Sequence, residues 1–389
     1  MSVGLTSAEV AAIDQPTATA AALPNRAYLD PAFLDHERAT IFAPTWMCIG
    51  TGASIPNAGD VRPMSWLGSP LVLVRTAEGS INVFHNVCRH RGNELVWEEG
   101  NAGGAIRCPY HSWTYGLDGE LRATPHVGGP GVHHLASIDR ASCGLVPARS
   151  AVWLDQVFVN LSGDAPPFDE FVAPLQQRID TLADRSWFDQ MHADTELGSL
   201  TFEFGGNWKL CVENNLEAYH LPWVHPNLTA LSPLENHEMF FGDGFAGQIT
   251  HGYDHEPITG GAFSVIDDWP GLSAEYPTLY PNLFLGLQCD HFWTRRVEPI
   301  APDRSIDVLQ IYYFDERALT DELRTPRAQR TEAWNEVFSE DLAVVEGMQR
   351  GRRSPAFDGG RFSEVMDATS HHFARWAARR LGATPPAGG

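Results

Sequence analysis

The sequence predicts an α+β protein: a small all-β domain, then a larger domain in which helices cover an antiparallel sheet. Three observations point there. Between about residues 45 and 160, short β-branched and aromatic runs alternate with Gly, Asn and Pro, with no competing helical periodicity. Three further strand-like runs stand close together between residues 282 and 314, joined by turn residues. A long amphipathic segment follows them, and the strand–helix–strand alternation of a parallel sheet is absent.

The first segment, MSVGLTSAEVAAIDQPTATAAALP, holds acids but no Lys or Arg. It lacks the basic start and apolar core of a signal peptide and the arginines of a transit peptide. Residues 1–25 therefore read as a loosely held arm. They and the tail ATPPAGG are expected to be mobile, and the protein to be cytoplasmic. Residues 1–44, arm and helix, are assigned to the larger domain. The all-β domain spans 45–160, and 161–389 completes the larger domain.

Within the all-β domain the strand candidates are SPLVLVRT (69–76), INVFHNV (81–87) and AVWLDQVFVNLSG (151–163), and LDGE (117–120) reads as a hairpin turn. Beyond it, PLQQRIDTLAD (174–184) and NWKLCVENNLEAYH (207–220) predict helices. The second stops near Pro222, which lacks an amide hydrogen and clashes with the preceding turn. NLFLGLQC (282–289), FWTRRVEPI (292–300) and IDVLQIYYF (306–314) predict neighbouring strands, linked by turns such as APDRS. TPRAQRTEAWNEVFSEDLAVVEGMQRG (325–351) predicts a long helix that stops at Gly351.

Composition narrows the function. The 389 residues are 43% apolar and carry a formal net charge of −22, as expected of a soluble globular chain whose acidic surface repels nucleic acid and anionic membranes. No apolar run is long enough for a membrane span. Six scattered cysteines are too few for a disulfide scaffold in a chain of this length.

Four metal-ligand candidates sit in the stretch CRHRGNELVWEEGNAGGAIRCPYHSWTYGLDGEL. Cys88 and His90 form one packet, Cys108 and His111 another, with 17 residues between His90 and Cys108. A zinc finger pairs Cys with Cys and His with His, whereas here each packet mixes the two. The mixed arrangement suits a two-iron cluster, with both cysteines on one iron and both histidines on the other. Gly92, Gly103, Gly104 and Pro109 fit tight loops whose amides approach the sulfurs. Zinc is the alternative. His85 and His126 lack the spacing and read as ordinary surface or core histidines.

A second constellation lies in NWKLCVENNLEAYHLPWVHP. Glu217 and His220, three apart, share a helix face, and His225 follows the break at Leu221–Pro222. In the 325–351 helix, Trp334, Val337, Phe338, Val345 and Met348 form an apolar stripe with Asp341 in its middle. Glu336, Glu340 and Glu346 lie on other faces. A carboxylate facing a core needs a partner. A buried arginine is one candidate, and a metal shared with His220 and His225 is the other. Two histidines and a carboxylate make the facial triad of non-heme Fe(II) oxygenases.

Together these motifs resemble the terminal oxygenase (α) subunit of the Rieske non-heme iron oxygenases, over roughly residues 28 to 365. The first stretch is similar to the Rieske [2Fe–2S] signature, and NWK…EN…EAYH…HP with EDLAVVEGMQRG to that family's iron site. The resemblance implies Cys88, His90, Cys108 and His111 as cluster ligands and His220, His225 and Asp341 as ligands of a mononuclear Fe(II). Glu217 takes the place of the carboxylate that bridges this iron to the cluster of a neighbouring subunit, although its spacing from His220 also permits it to ligate. The resemblance further implies O2 as co-substrate, a separate NAD(P)H-dependent flavin or iron–sulfur reductase, and a ring of subunits, usually a trimer. No G-x-G-x-x-G follows a predicted strand, so the chain has no nicotinamide or flavin site of its own.

A Glu at the bridging position resembles the branch acting on choline, carnitine and betaine-type substrates more than the aromatic-ring dioxygenases. The expected reaction is hydroxylation or N-demethylation of a quaternary or tertiary amine. Hydroxylation or O-demethylation of an aromatic compound is the alternative. A trimethylammonium group calls for an aromatic cage, with Trp208, Tyr219, Trp223, Phe240, Phe241, Phe284, Phe292 and Trp293 as candidates. A Rieske electron carrier is the rival of another class, and it would need only residues 45–160.

Overall fold

The structure, a computed structural model, describes residues 3–254 and 256–382. The chain divides into two compact units, Cys48–Asp164 and Met1–Met47 with Ala165–Gly389.

The smaller unit is all β. Strands β2 (Asp60–Trp66), β3 (Ser69–Arg75), β4 (Ile81–His85) and β5 (Gly100–Asn101) form one sheet in the order β4-β3-β2-β5. β6 (Ala105–Arg107), β7 (Thr114–Gly116) and β8 (Leu121–Ala123) form a second. β1 (Met47–Thr51), β9 (Arg149–Trp153) and β10 (Gln156–Asn160) form a third, ordered β1-β10-β9. The LDGE turn closes β7 onto β8, with Gly119 at φ +84°. The run AVWLDQVFVNLSG is not one strand. Leu154 and Asp155 adopt φ of 49° and 61°, the left-handed pair of a tight hairpin, and fold it into β9 and β10 with Trp153 opposite Gln156.

The larger unit is built on an eight-stranded sheet whose main path runs β11-β18-β17-β16-β15-β14-β13, with β12 also pairing β18. Its strands are β11 (His192–Ala193), β12 (Ser199–Phe204), β13 (His237–Gly242), β14 (Phe245–Thr250), β15 (Ala274–Leu279), β16 (Leu283–Leu287), β17 (Phe292–Ala301) and β18 (Arg304–Tyr313). The recorded pairings are antiparallel, and the APDRS segment turns β17 into β18. Helices pack on this sheet: α1 (Ser7–Ile13) lies on α5 (Ala368–Leu381), and α5 on β13 and β14. α3 (Trp208–Asn215) lies on β15 and β17, and α4 (Arg324–Gly351) crosses α3 and β12. α2 (Phe168–Ile179) begins six residues before the predicted start at Pro174, its first turn carrying Asp169 and Glu170 where the helix dipole favours acids. It ends at Ile179, short of the predicted 184.

Two further expectations are corrected. The arm is not loose over its described part. Thr6 and Glu9 form a reciprocal capping box around α1, and Arg26 holds Glu9 through two contacts of 2.6 and 2.7 Å. Asp14 meets Arg375 and Arg379 of α5. The tail ATPPAGG lies outside the described residues. The helix predicted over 207–220 ends at Asn215. Ser370 and Thr369 of α5 donate their hydroxyls to the carbonyls of Glu213 and Leu216, which would otherwise accept from the next turn. Glu217 then accepts from the backbone N–H of His220 at 3.1 Å, closing a turn in place of a helix.

Candidate active site

In the smaller unit, two loops of matching geometry carry the Cys/His packets. Cys88 N–H donates to Asn93 O and Cys108 N–H to Trp113 O, both at 2.8 Å. Gly92 N–H returns to Cys88 O and Ser112 N–H to Cys108 O, both at 3.0 Å. The returning residues take φ of +72° and +57°, so the second loop places a serine where the first uses a glycine. The loops differ in where histidine falls, two residues after Cys88 and three after Cys108. The two imidazoles still meet, with ring centroids 4.7 Å apart, and His90 stacks on Trp113.

Both cysteines are buried at the loop bases. Burial pushes the Cys88 thiol up, while Tyr115 acts the other way, its Oη 3.3 Å from Cys88 Sγ. Tyr115 Oη accepts from Arg89 N–H at 3.0 Å, which leaves its proton for the sulfur. His111 Nδ1 is buried and has no hydrogen-bond partner among the described residues. An orphaned buried nitrogen is costly unless it is a ligand. Two buried sulfurs and two converging imidazoles, one of them with an unused ring nitrogen, fit a two-iron cluster.

In the larger unit the second constellation comes together on α3, the segment after it, and α4. Proline organises that segment. Pro222 and Pro226 start the short helices Leu221–Val224 and Pro226–Leu231, and a residue before proline is disfavoured in α conformation. His225 therefore stands between them at φ −121° and aims inward, nearly fully buried. α4 brings Asp341 in on the stripe of Trp334, Phe338 and Val345. One nitrogen of His220, one of His225 and one oxygen of Asp341 lie within 4.8 Å of one another. Asp341 Oδ1 is 2.9 Å from His225 Nε2 and 3.5 Å from His220 Nε2.

Carboxylates also hold the opposite ring nitrogens. Glu217 Oε1 is 2.6 Å from His220 Nδ1, and Glu340 Oε2 is 2.7 Å from His225 Nδ1. A Nδ1–H donated to a carboxylate leaves Nε2 as a lone pair aimed at the common centre. Glu217 thus lies behind His220, and it is not among the three converging groups. Burial opposes the charged form of His225, but Asp341 and Glu340 outweigh it and raise the imidazole above its ordinary value. Burial likewise works against the Asp341 carboxylate, yet His225, His220 and Arg295 hold it below the usual range. Arg295 is not its salt-bridge partner, because that guanidinium pairs with Asp307 at 2.6 Å. Asn214 donates instead, 3.1 Å from Asp341 Oδ1. Two imidazole nitrogens and a carboxylate are a donor set that fits Fe(II) with positions left open.

The site opens into a solvent-connected chamber. Its aromatic wall is Tyr276, Trp293, Trp334 and Phe338, mutually packed with Trp293 5.3 Å from Trp334 and 5.2 Å from Phe338. Of the eight cage candidates, only Trp293 lines it. Trp293 can lie there because β16 carries Gly286 opposite it, where a Cβ would stand 1.9 Å from the indole. Trp334 is fixed by a buried chain: its Nε1–H donates to His291 Nε2, His291 Nδ1–H to Asp290, and Asp290 accepts from Arg330. The sequence reading missed Glu340, Tyr276, His237 and Gln248. The Glu340 backbone lies off the apolar stripe, and its long side chain reaches back to His225. The other three sit on strands or bends that were not identified.

Residues 45–138 match the family described as Rieske [2Fe–2S] domain, and residues 191–383 the ring hydroxylating alpha subunit (catalytic domain). The carnitine monooxygenase oxygenase subunit of Escherichia coli K12 is 27% identical over 344 residues, 87% of this chain and 86% of that protein. The glycine betaine monooxygenase oxygenase subunit of Pseudomonas aeruginosa is 26% identical, over 92% of this chain and 89% of that protein. A solved quaternary ammonium Rieske monooxygenase, described with carnitine oxidation and inter-subunit electron transfer, superposes at a TM-score of 0.81. It is 21% identical and covers 97% of this chain and 100% of its own.

Proposed function

This chain belongs to the Rieske non-heme iron oxygenases as a terminal oxygenase subunit, and from that premise we propose that it oxidises a quaternary or tertiary amine, by hydroxylation or N-demethylation. The observation that carries the reading is the chamber wall. Four aromatic rings and the carboxylates of Glu217 and Asp341 line it, and no Lys or Arg stands among the described lining residues. Aromatic faces without a competing Lys or Arg favour a cation, and a desolvated ammonium over such faces gains about 2 kcal/mol. The relatives named for carnitine and glycine betaine point the same way.

In this reading Cys88, Cys108, His90 and His111 hold the [2Fe–2S] cluster, and His220, His225 and Asp341 the mononuclear iron. When bound, the cluster supplies electrons one at a time and the iron is where O2 is reduced. The protein's own contribution is positional. Glu217 and Glu340 fix the two imidazoles with Nε2 forward, Asn214 steadies Asp341, and the aromatic wall holds the ammonium beside the three ligands. Glu217 also serves as the link from His220 toward the cluster of an adjacent subunit, which calls for a homotrimer. Electrons come from NAD(P)H through a separate flavin or iron–sulfur reductase.

The test is a panel of quaternary amines and aromatic acids with a surrogate reductase. Substrate-dependent O2 uptake and formaldehyde release are scored. An amine should stimulate uptake. Stimulation by aromatic acids alone refutes the reading. The [2Fe–2S] carrier alternative predicts about two irons per chain in place of about three.

A further inference from the structure

The end of the chamber on β13 and β14 is polar, uncharged and unassigned. Gln248 of β14 is cross-strand to Tyr276 of β15, so its side chain stands beside the aromatic wall. His237, at the start of β13, holds it: Nδ1 and the Gln248 side-chain amide are hydrogen-bonded at 2.8 Å, and Nε2 lies 2.9 Å from Ser232 Oγ, which donates onward to Thr250 Oγ1. Both partners of the imidazole are neutral, and burial lowers His237 below its ordinary value, so the ring stays neutral too. The clamp takes up one end of the Gln248 amide. The other end has no hydrogen-bond partner among the described residues, and Gln248 lines the chamber.

Among the described residues that line the chamber there is no Lys or Arg to balance a negative charge. The buried guanidinium groups of Arg295 and Arg330 are already committed, to Asp307 and Asp290. A carboxylate carried into this space would be buried without a counter-ion, a placement that costs several kcal/mol. A hydroxyl, which both donates and accepts, meets the free end of the amide at no such cost, and a site built to hydrogen-bond discriminates strongly in favour of its partner.

We propose that Gln248, clamped by His237, selects the far end of the substrate, and that this end is an uncharged hydrogen-bonding group such as a hydroxyl, not a carboxylate. The proposal rests on the amine reading and narrows it to cations with a neutral polar tail.

The experiment is calorimetric binding to the intact holoenzyme of three probes: tetramethylammonium, choline and glycine betaine. Choline should bind about tenfold tighter than tetramethylammonium and at least about tenfold tighter than glycine betaine. Gln248→Leu should erase choline's advantage over tetramethylammonium. Gln248→Lys should invert the order of choline and glycine betaine. Glycine betaine binding as tightly as choline overturns the proposal, as does a Gln248→Leu enzyme with wild-type preference. The wild-type order decides even where a variant does not fold, which its cluster absorbance reports. Tetramethylammonium binding with glycine betaine preferred sinks this inference alone. Binding of aromatic acids but of none of the three cations sinks the amine reading and this inference with it.

Discussion

Glu340 is the residue whose role tests the site most directly, because its backbone lies off the buried stripe of α4 and its effect must travel through His225. Its Oε2 is 2.7 Å from His225 Nδ1, with the glutamate side chain 30% exposed and the histidine 2%. A hydrogen bond to a charged group contributes about 1.5–3 kcal/mol. The partial exposure of Glu340 lets water take over some of that role and points to the lower end. About 1.5 kcal/mol is about tenfold in metal retention, the low end of what losing such an orienting partner costs. Glu340→Ala should therefore release the mononuclear iron at about tenfold lower chelator concentration, and Glu340→Gln, which can still accept Nδ1–H, at an intermediate one. The assay is iron and labile sulfide per chain after dialysis against graded chelator. Sulfide and the cluster absorbance should stay at wild-type levels while the additional iron leaves. Glu336→Ala is the control, since among the described residues Glu336 accepts from Asn227 alone, on an exposed face. If Glu340→Ala retains iron as the wild type does, or Glu336→Ala loses it equally, the orienting role is wrong.

Other expectations follow from the same geometry. Asp341→Ala should abolish turnover and the mononuclear iron while leaving the cluster spectrum intact, checked by iron counting and absorbance. Gly286→Ala puts a Cβ 1.9 Å from the Trp293 indole, so thermal unfolding should show a loss of about 1–3 kcal/mol from overpacking, together with altered substrate preference. Tyr115→Phe removes the proton directed at Cys88 Sγ. One such bond, about 1 kcal/mol, should lower the cluster potential on the order of 40 mV in a redox titration. Glu9 is held down to about 2 by Arg26 and the Thr6 cap. A depressed carboxyl stabilises fully above its unfolded value near 4.5 and loses that contribution as pH falls toward the folded one. Amides of α1 should therefore gain hydrogen exchange as pH drops below about 4.5, after correction for the intrinsic rate. Glu9→Gln should flatten that dependence.

The chemistry was legible in the sequence because ligand spacing is local. Cys88, His90, Cys108 and His111 are fixed by two short loops. His220 and His225 flank a proline-broken segment whose geometry follows from the prolines themselves. Asp341 was legible because helical periodicity puts a carboxylate on an apolar stripe. The long helix and the strands of the larger sheet were readable for the same reason, since a period of 3.6 or 2 is a property of neighbours in the chain.

Tertiary structure decided what depended on partners distant in sequence. α3 stops at Asn215 because hydroxyls of α5 take its last carbonyls, and no local pattern records that. The N-terminal segment is held because Asp14 finds arginines more than three hundred residues away. Glu340 backs His225 across 115 residues. The aromatic wall and the Gln248 clamp exist only once β13 to β17 lie side by side, since burial and charge balance in a chamber belong to the assembled surface. Sequence determined which metals this protein can hold. The packing of sheet against helix decided how firmly their ligands are aimed and what kind of molecule can lie beside them.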